Sequence, residues 1–314
     1  MGRTKRHHYL PEFYLAGFTS DGGRDSTFTV FDRDEGTFRS QTPKNTAVCH
    51  YYYALEDDTT GEKSMEVEEF LSSIESEAAP VIRKLERLKT PTDREREMLA
   101  LFCALLHTRV PQFDRSIQET VNGAFQALAR RMAPTIEDVR MQQQEWEEST
   151  GKVSEVTAEE DFERIKNGAY SFSEPRQNVI KMMLEMSGEF AELFLNMDWG
   201  IAHTPSRMSL IVTDAPLLLI PPREWRPGMP SFGLGTPGAH KMIPLSRRVA
   251  LFIGDLGSRF EFVPLTKGQT RENNLALAER CERFVIGCDE LLIQNVVRRT
   301  RLAGSTRRPI VVVE

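Results

Sequence analysis

Apolar residues recur in this chain with two different periods, and the two are kept apart along the sequence. In the middle of the chain, over Gly61–Leu88, Thr92–Val121 and Ser173–Met197, they return every three to four residues, the spacing of one buried helix face. Outside that block they fall in short β-branched, aromatic or leucine-rich runs separated by Pro, Gly and polar turns. A doubly wound parallel sheet needs regular alternation of strand and helix, which is missing here. The segregation predicts an α+β protein with a central helical layer, an N-terminal β-hairpin and a C-terminal mixed β-sheet. With 314 residues, 40% of them hydrophobic, the chain can bury its core without disulfides or metals, and one α+β domain over residues 1–314 is expected.

The elements follow from local chemistry. Residues 7–18 read as an extended lead-in and a compact helix, with Pro11 at the first helical position and Gly17 as a left-handed stop. Thr27–Asp32 and Thr37–Ser40 flank the polar Arg33-Asp34-Glu35-Gly36 and predict a hairpin. These aspartates imitate a calcium loop, but the glycine and the distal glutamate are misplaced for one. A helix is predicted from Gly61 to Leu88, its stripe running through Phe70, Ile74, Ala78, Val81, Leu85 and Leu88, with Pro80 inside it. A second opens with Thr92 and Glu95 in capping-box spacing and is interrupted by Pro111. Residues 134–172 are acidic and glutamine-rich, which predicts a surface excursion with marginal helix. Helical periodicity returns from Ser173 to Met197, with Val179, Met183, Met186, Phe190 and Leu193 on one side.

After about Trp199, strands are predicted at Leu210–Thr213, Leu217–Ile220, Lys241–Leu245, Val249–Ile253, Phe260–Leu265, Phe284–Gly287 and Ile310–Val313. Helices are predicted at Arg271–Arg283 and Glu290–Arg299. The Gly- and Pro-rich segment Trp225–His240 reads as a loop.

The four cysteines are scattered and form no C-x-x-C pair, which suits reduced thiols in a cytoplasm and gives no structural zinc set. No apolar run is long enough to cross a bilayer, so no membrane role is expected. The net charge of −6 hides basic ends, Arg3-Thr4-Lys5-Arg6 and the stretch Arg298–Arg308 with its five arginines. Such ends suit contact with the phosphates of a nucleic acid, or are simply solvated. There is no P-loop, no dinucleotide fingerprint followed by a helix, no G-x-S-x-G elbow and no H-E-x-x-H pair.

Five residues are candidates for chemistry. His7 and His8 precede a predicted helix; a neutral imidazole there can take a proton or bind a metal, or can merely cap the helix. Adjacent residues of an extended chain point to opposite faces, so one of the two enters any given site. Glu75 lies beside the buried stripe of its helix, and Arg109, preceding a proline, is its natural ion-pair partner. Asp214 closes the strand Ile211-Val212-Thr213, where a carboxylate serves either a ligand or the turn made with Ala215-Pro216. The tyrosines 51, 52 and 53 read as the alternating end of a strand that starts near Asn45.

The opening Lys5-Arg6-His7-His8-Tyr9-Leu10-Pro11-Glu12-Phe13-Tyr14-Leu15-Ala16-Gly17-Phe18 resembles the N-terminal signature of the bacterial family known as domain of unknown function 4238. The resemblance continues through Lys44-Asn45 with Tyr53 beyond, Glu75, Arg109, Thr213-Asp214-Ala215-Pro216 and Pro244-Leu245-Ser246. Ala215 stands where Asn is common in that family. The resemblance implies one domain holding all these motifs and brings no activity with it. Two functions then compete. In one, His7 or His8, Glu75, Arg109 and Asp214 gather, with a divalent metal, into a hydrolase site for phosphoesters or nucleic acid. In the other, the same groups are a structural network inside a non-catalytic binding module whose basic ends meet a partner.

Overall fold

A computed structural model describes residues 6–56, 63–300 and 302. The first third holds β1 (Arg6–His8), α1 (Glu12–Ala16), β2 (Phe28–Asp32), β3 (Thr37–Gln41), β4 (Val48–His50), β5 (Leu55–Glu56) and β6 (Lys63–Ser64). The helices α2 (Glu66–Glu86), α3 (Asp93–Thr108), α4 (Pro111–Met132), α5 (Ile136–Thr150), α6 (Ala158–Lys166) and α7 (Arg176–Leu195) follow. The last third holds β7 (Asp198–His203), β8 (Val212–Thr213), β9 (Leu218–Ile220), β10 (His240–Pro244), β11 (Val249–Gly254) and β12 (Phe260–Pro264). It ends with α8 (Lys267–Glu279), β13 (Phe284–Gly287) and α9 (Glu290–Thr300). The α+β class expected from the segregated periods is the one adopted. The predicted strand Ile310–Val313 lies outside the described residues, as do Arg3 to Lys5 and most of the basic C-terminal stretch.

The described chain divides into two compact units, one made of residues up to Phe113 and from Ile180 onward, the other of Asp114–Val179. In the first unit a five-stranded mixed sheet runs in the order β12-β7-β11-β10-β9, with β12 and β7 parallel. An antiparallel four-stranded sheet runs β3-β2-β13-β8. The predicted hairpin β2–β3 is thus half of a sheet completed near the other end of the chain. Phe31 and Val285 from the smaller sheet and Ala202, Met242 and Ala250 from the larger share one core with Leu277, Ile293 and Val297 of α8 and α9.

The N-terminal segment is pinned at both ends. β1 pairs antiparallel with β4, and Leu10, Tyr14, Leu15 and Phe18 are each at most 1% exposed. The Tyr14 hydroxyl donates to the Pro244 carbonyl at 2.6 Å. Gly17 is not the left-handed stop expected, since its φ is −60°. The space there is tight, because a Cβ would stand 3.2 Å from that of Ser246 and 3.1 Å from the Tyr14 carbonyl oxygen. Pro11 precedes the helix as its cap residue and does not open it.

Helix α2 buries Val67, Leu71, Ile74, Ala78, Val81, Ile82 and Leu85 and carries Pro80 within it. Phe70 and Leu88, assigned to that stripe from spacing, are 43% and 58% exposed. The capping box of Thr92 and Glu95 opens α3, and Pro111 opens α4 as a separate helix. On α7 the buried face runs through Ile180, Met183, Ser187, Ala191 and Phe194, so Met186, Phe190 and Leu193 are its flank. Strand β7, an inner strand of the larger sheet, was not expected: Asp198 and Gly200, both poor strand formers, break the signal of Trp199 and Ile201. Gly200 admits the Leu256 side chain, which would stand 3.2 Å from a Cβ.

The second unit corrects the reading of residues 134–172 as marginally helical. Both α5 and α6 open on full capping boxes, Thr135 with Asp138 and Thr157 with Glu160, and α5 stops at a left-handed Gly151. Ala133, Val139 and Ala158 form a small core with Phe162 and Ile165 against it. Three buried side chains, none larger than valine, do not stand out from an acidic background. Among the described residues no helix is long and apolar enough to cross a membrane.

Candidate functional site

Arg109 follows the last residue of α3, at the bend forced by Pro111, and its side chain turns inward. Every branch of the guanidinium is engaged. Nε donates to the Tyr53 hydroxyl at 3.1 Å, Nη1 to Glu75 Oε1 at 2.6 Å and Nη2 to the His8 carbonyl at 2.6 Å. Tyr53 returns the contact by donating its hydroxyl to the Arg109 carbonyl at 3.0 Å. Burial works against the charge of Arg109, but Tyr53 and Glu75 outweigh it and hold the pKa above the ordinary arginine value. One buried cation therefore ties together β1, the turn after β4, α2 and the end of α3.

The two histidines divide as an extended chain requires. His7 is fully buried; its Nδ1 accepts the Tyr53 backbone N–H at 3.0 Å, and its ring stacks on Tyr53 at 5.9 Å. A nitrogen filled as an acceptor carries no proton, so His7 is the neutral tautomer with hydrogen on Nε2. His8 faces away, its Nε2 lying 3.1 Å from the Lys44 carbonyl, while its backbone carbonyl accepts from Arg109 in the cluster. Burial lowers the His8 pKa, against the pull of Lys44 and Glu12.

Glu68 is a member that sequence reasoning missed. Its Oε2 lies 3.8 Å from His7 Nδ1, and burial raises its pKa, against the pull of Arg109 and with the push of Glu75. The signal was available, because Glu68 and Glu75 are seven residues apart and share one face of α2. Tyr53 was also underrated. Strand β4 ends at His50 and Tyr51 has a φ of 54°, so the three tyrosines lie on a turn and not on an alternating strand.

Asp214 belongs to a different cluster. It follows β8, with Oδ1 accepting the Glu282 N–H at 3.0 Å and Oδ2 the Arg283 N–H at 2.7 Å. The Arg283 side chain reaches the other way, to the fully buried Asp32 at 2.7 Å, where Arg39 also stands at 3.3 Å. The aspartates of the hairpin turn are thus occupied by arginines. The Asp214 charge is felt by Tyr9, whose raised pKa reflects burial first and Asp214 second.

Among the described residues, no group of three or more His, Cys, Asp and Glu side chains is placed to hold a metal ion. The family described as "Protein of unknown function (DUF4238)" matches residues 6–290. The chain belongs to this family. The family match takes in His7, His8, Glu75, Arg109 and Asp214 alike. No curated protein and no solved structure matches the chain.

Burial pushes the Asp214 carboxyl up to about 7, against the backbone N–H groups of Arg283, Phe284 and Glu282. The folded protein therefore keeps a proton between about pH 4 and 7 that the unfolded chain, with an ordinary aspartate, has released. Stability must fall as pH rises through that window, by on the order of a few kcal/mol in all. Urea unfolding at a series of pH values should show this slope in the native chain and lose most of it in Asp214→Asn. An unchanged slope in the variant would assign it to other groups.

Proposed function

We propose that this protein is a non-catalytic binding module in which His7, Glu75, Arg109 and Tyr53 are scaffolding. The observation behind this reading is that each of the three guanidinium nitrogens of the buried Arg109 already donates to a protein acceptor, three of its five N–H groups. A guanidinium recruited to steady a phosphoryl group must present at least one free edge. His8 is directed at a carbonyl, and Asp214 is held by two backbone N–H groups in another cluster. The basic ends, Arg3–Arg6 and Arg298–Arg308, are the complement to a polyanionic partner such as nucleic acid.

The test sets this against metal-assisted hydrolysis of phosphoesters or nucleic acid. The purified protein is assayed for bound metal, for hydrolysis with added Mg²⁺ or Mn²⁺, and for retention of labelled single- and double-stranded nucleic acid across a salt series. Binding that weakens steeply with salt, without turnover, is the expected result. Turnover that Glu75→Gln or His8→Ala abolishes, while the fold persists, would replace the binding reading with the hydrolase.

A further inference from the structure

Arg96 lies in the first turn of α3 and is only 8% exposed. Its guanidinium lies 4.8 Å from the centre of the Trp199 ring, on β7. Trp199 is itself fully buried and fixed by a 2.8 Å hydrogen bond from Nε1 to the Phe194 carbonyl. In contrast to Arg109, Arg96 has no acceptor: its buried Nε and Nη2 meet no hydrogen-bond partner among the described residues. Its neighbour Glu95 is taken by Lys84 and by the Thr92 N–H, each at 2.6 Å.

The identity of the two orphaned atoms is informative. Nε and Nη2 are the donors on one edge of a guanidinium, set parallel and spaced for two oxygens of a single carboxylate or phosphate. A second cation lies close by: the Arg259 carbonyl accepts the Trp199 N–H at 3.1 Å, and Arg96 has its pKa lowered by burial first and Arg259 second, with Asp93 acting the other way. Arg259, just before β12, is exposed and marks the solvent side of the pair. A buried cation whose paired edge meets no acceptor, beside a like charge, is costly, and an anion placed against that edge would offset the cost.

We propose that Arg96 and Arg259 form an oxyanion-binding site on the Trp199 face of β7, receiving the carboxylate or phosphate group of a ligand. Arg96 supplies the two-pronged contact and Arg259 closes over the outer oxygens. This site is separate from the Arg109 cluster and does not depend on the reading given to that cluster.

Trp199 is the natural reporter once Trp146 and Trp225 are replaced by Phe, since the chain has three tryptophans. Titration of that protein with inorganic phosphate, and separately with succinate, against chloride at equal ionic strength, should give a saturable fluorescence change with at least one of the two anions. The anion that binds tells a phosphate-bearing ligand from a carboxylate-bearing one. Arg96→Lys, which keeps the charge but loses the paired edge, should weaken binding by at least about tenfold, as should Arg96→Met. Arg259→Glu should weaken it by a similar factor and serves if the Arg96 variants do not fold. Absence of saturable binding by either anion up to about 10 mM, or unchanged affinity in Arg96→Lys or Arg259→Glu, overturns the proposal; 10 mM lies beyond the millimolar range of weak specific affinities.

Discussion

Replacing Arg109 with alanine should cost about 3–5 kcal/mol of stability, the usual loss when one partner of a buried ion pair is removed. The change takes a donor from Glu75, from the Tyr53 hydroxyl and from the His8 carbonyl at once. Of these, Glu75 is the least harmed, since 22% of its side chain is exposed and water can reach it. Glu75→Gln keeps an acceptor for Nη1 but leaves the buried Arg109 cation without its carboxylate, so it should also cost several kcal/mol, on the order of 3. Arg109→Lys should cost less than Arg109→Ala, since it keeps the charge, although one ammonium cannot serve three acceptors that diverge. Urea midpoints at constant slope give the comparison. A loss below about 1 kcal/mol in Arg109→Ala would mean that the cluster does not hold these elements together.

Removing residues 1–18 should abolish cooperative unfolding altogether. Leu10, Tyr14, Leu15 and Phe18 leave the core together, each buried to within 1%. At about 1.5–3 kcal/mol per side chain the loss is on the order of 10 kcal/mol, comparable with the whole stability of a typical domain. The truncation also strips β4 of its strand partner β1 and Arg109 of the His8 carbonyl. A far-UV circular dichroism melt should show a shallow, featureless decline. A sharp transition at the native temperature would show that this segment is an appendage.

What the sequence disclosed, and what it withheld, follow one physical rule. Features carried by a local pattern were legible: the capping box at Thr92, the hairpin about Arg33–Gly36, the strand 249–254 and the face division of His7 and His8. The pairing of Glu75 with Arg109 could be guessed, because a buried arginine at a bend needs a carboxylate. Features set by distant packing were not legible. Trp199 lies on a strand that sheet neighbours define, and Asp198 and Gly200 on either side of it mask its strand preference. Lys241 looks like an ordinary strand residue, yet it is fully buried, with Nζ donating to the Ala239 carbonyl at 2.9 Å. Gly17 was read as a turn residue, whereas its space is limited in part by a side chain more than two hundred positions away. Asp214 was grouped with Glu75 on polarity alone, and the structure attaches it to Arg283 instead.

The smaller sheet imposes an order on the making of this protein. The first hairpin, β2–β3, emerges early, but the strand that covers its inner edge is β13, and the Asp32–Arg283 clasp spans 251 positions of sequence. Until Phe284–Gly287 has been made, the backbone of Phe28–Asp32 offers an unpaired edge with Phe28, Val30 and Phe31 uncovered beside it. The nascent chain therefore carries a sticky edge over more than 200 positions of sequence, until β13, α8 and α9 can cover it. Slow codons or truncation ahead of β13 would prolong that interval, and the failure to expect is aggregation through the β2–β3 hairpin, not accumulation of a stable fragment.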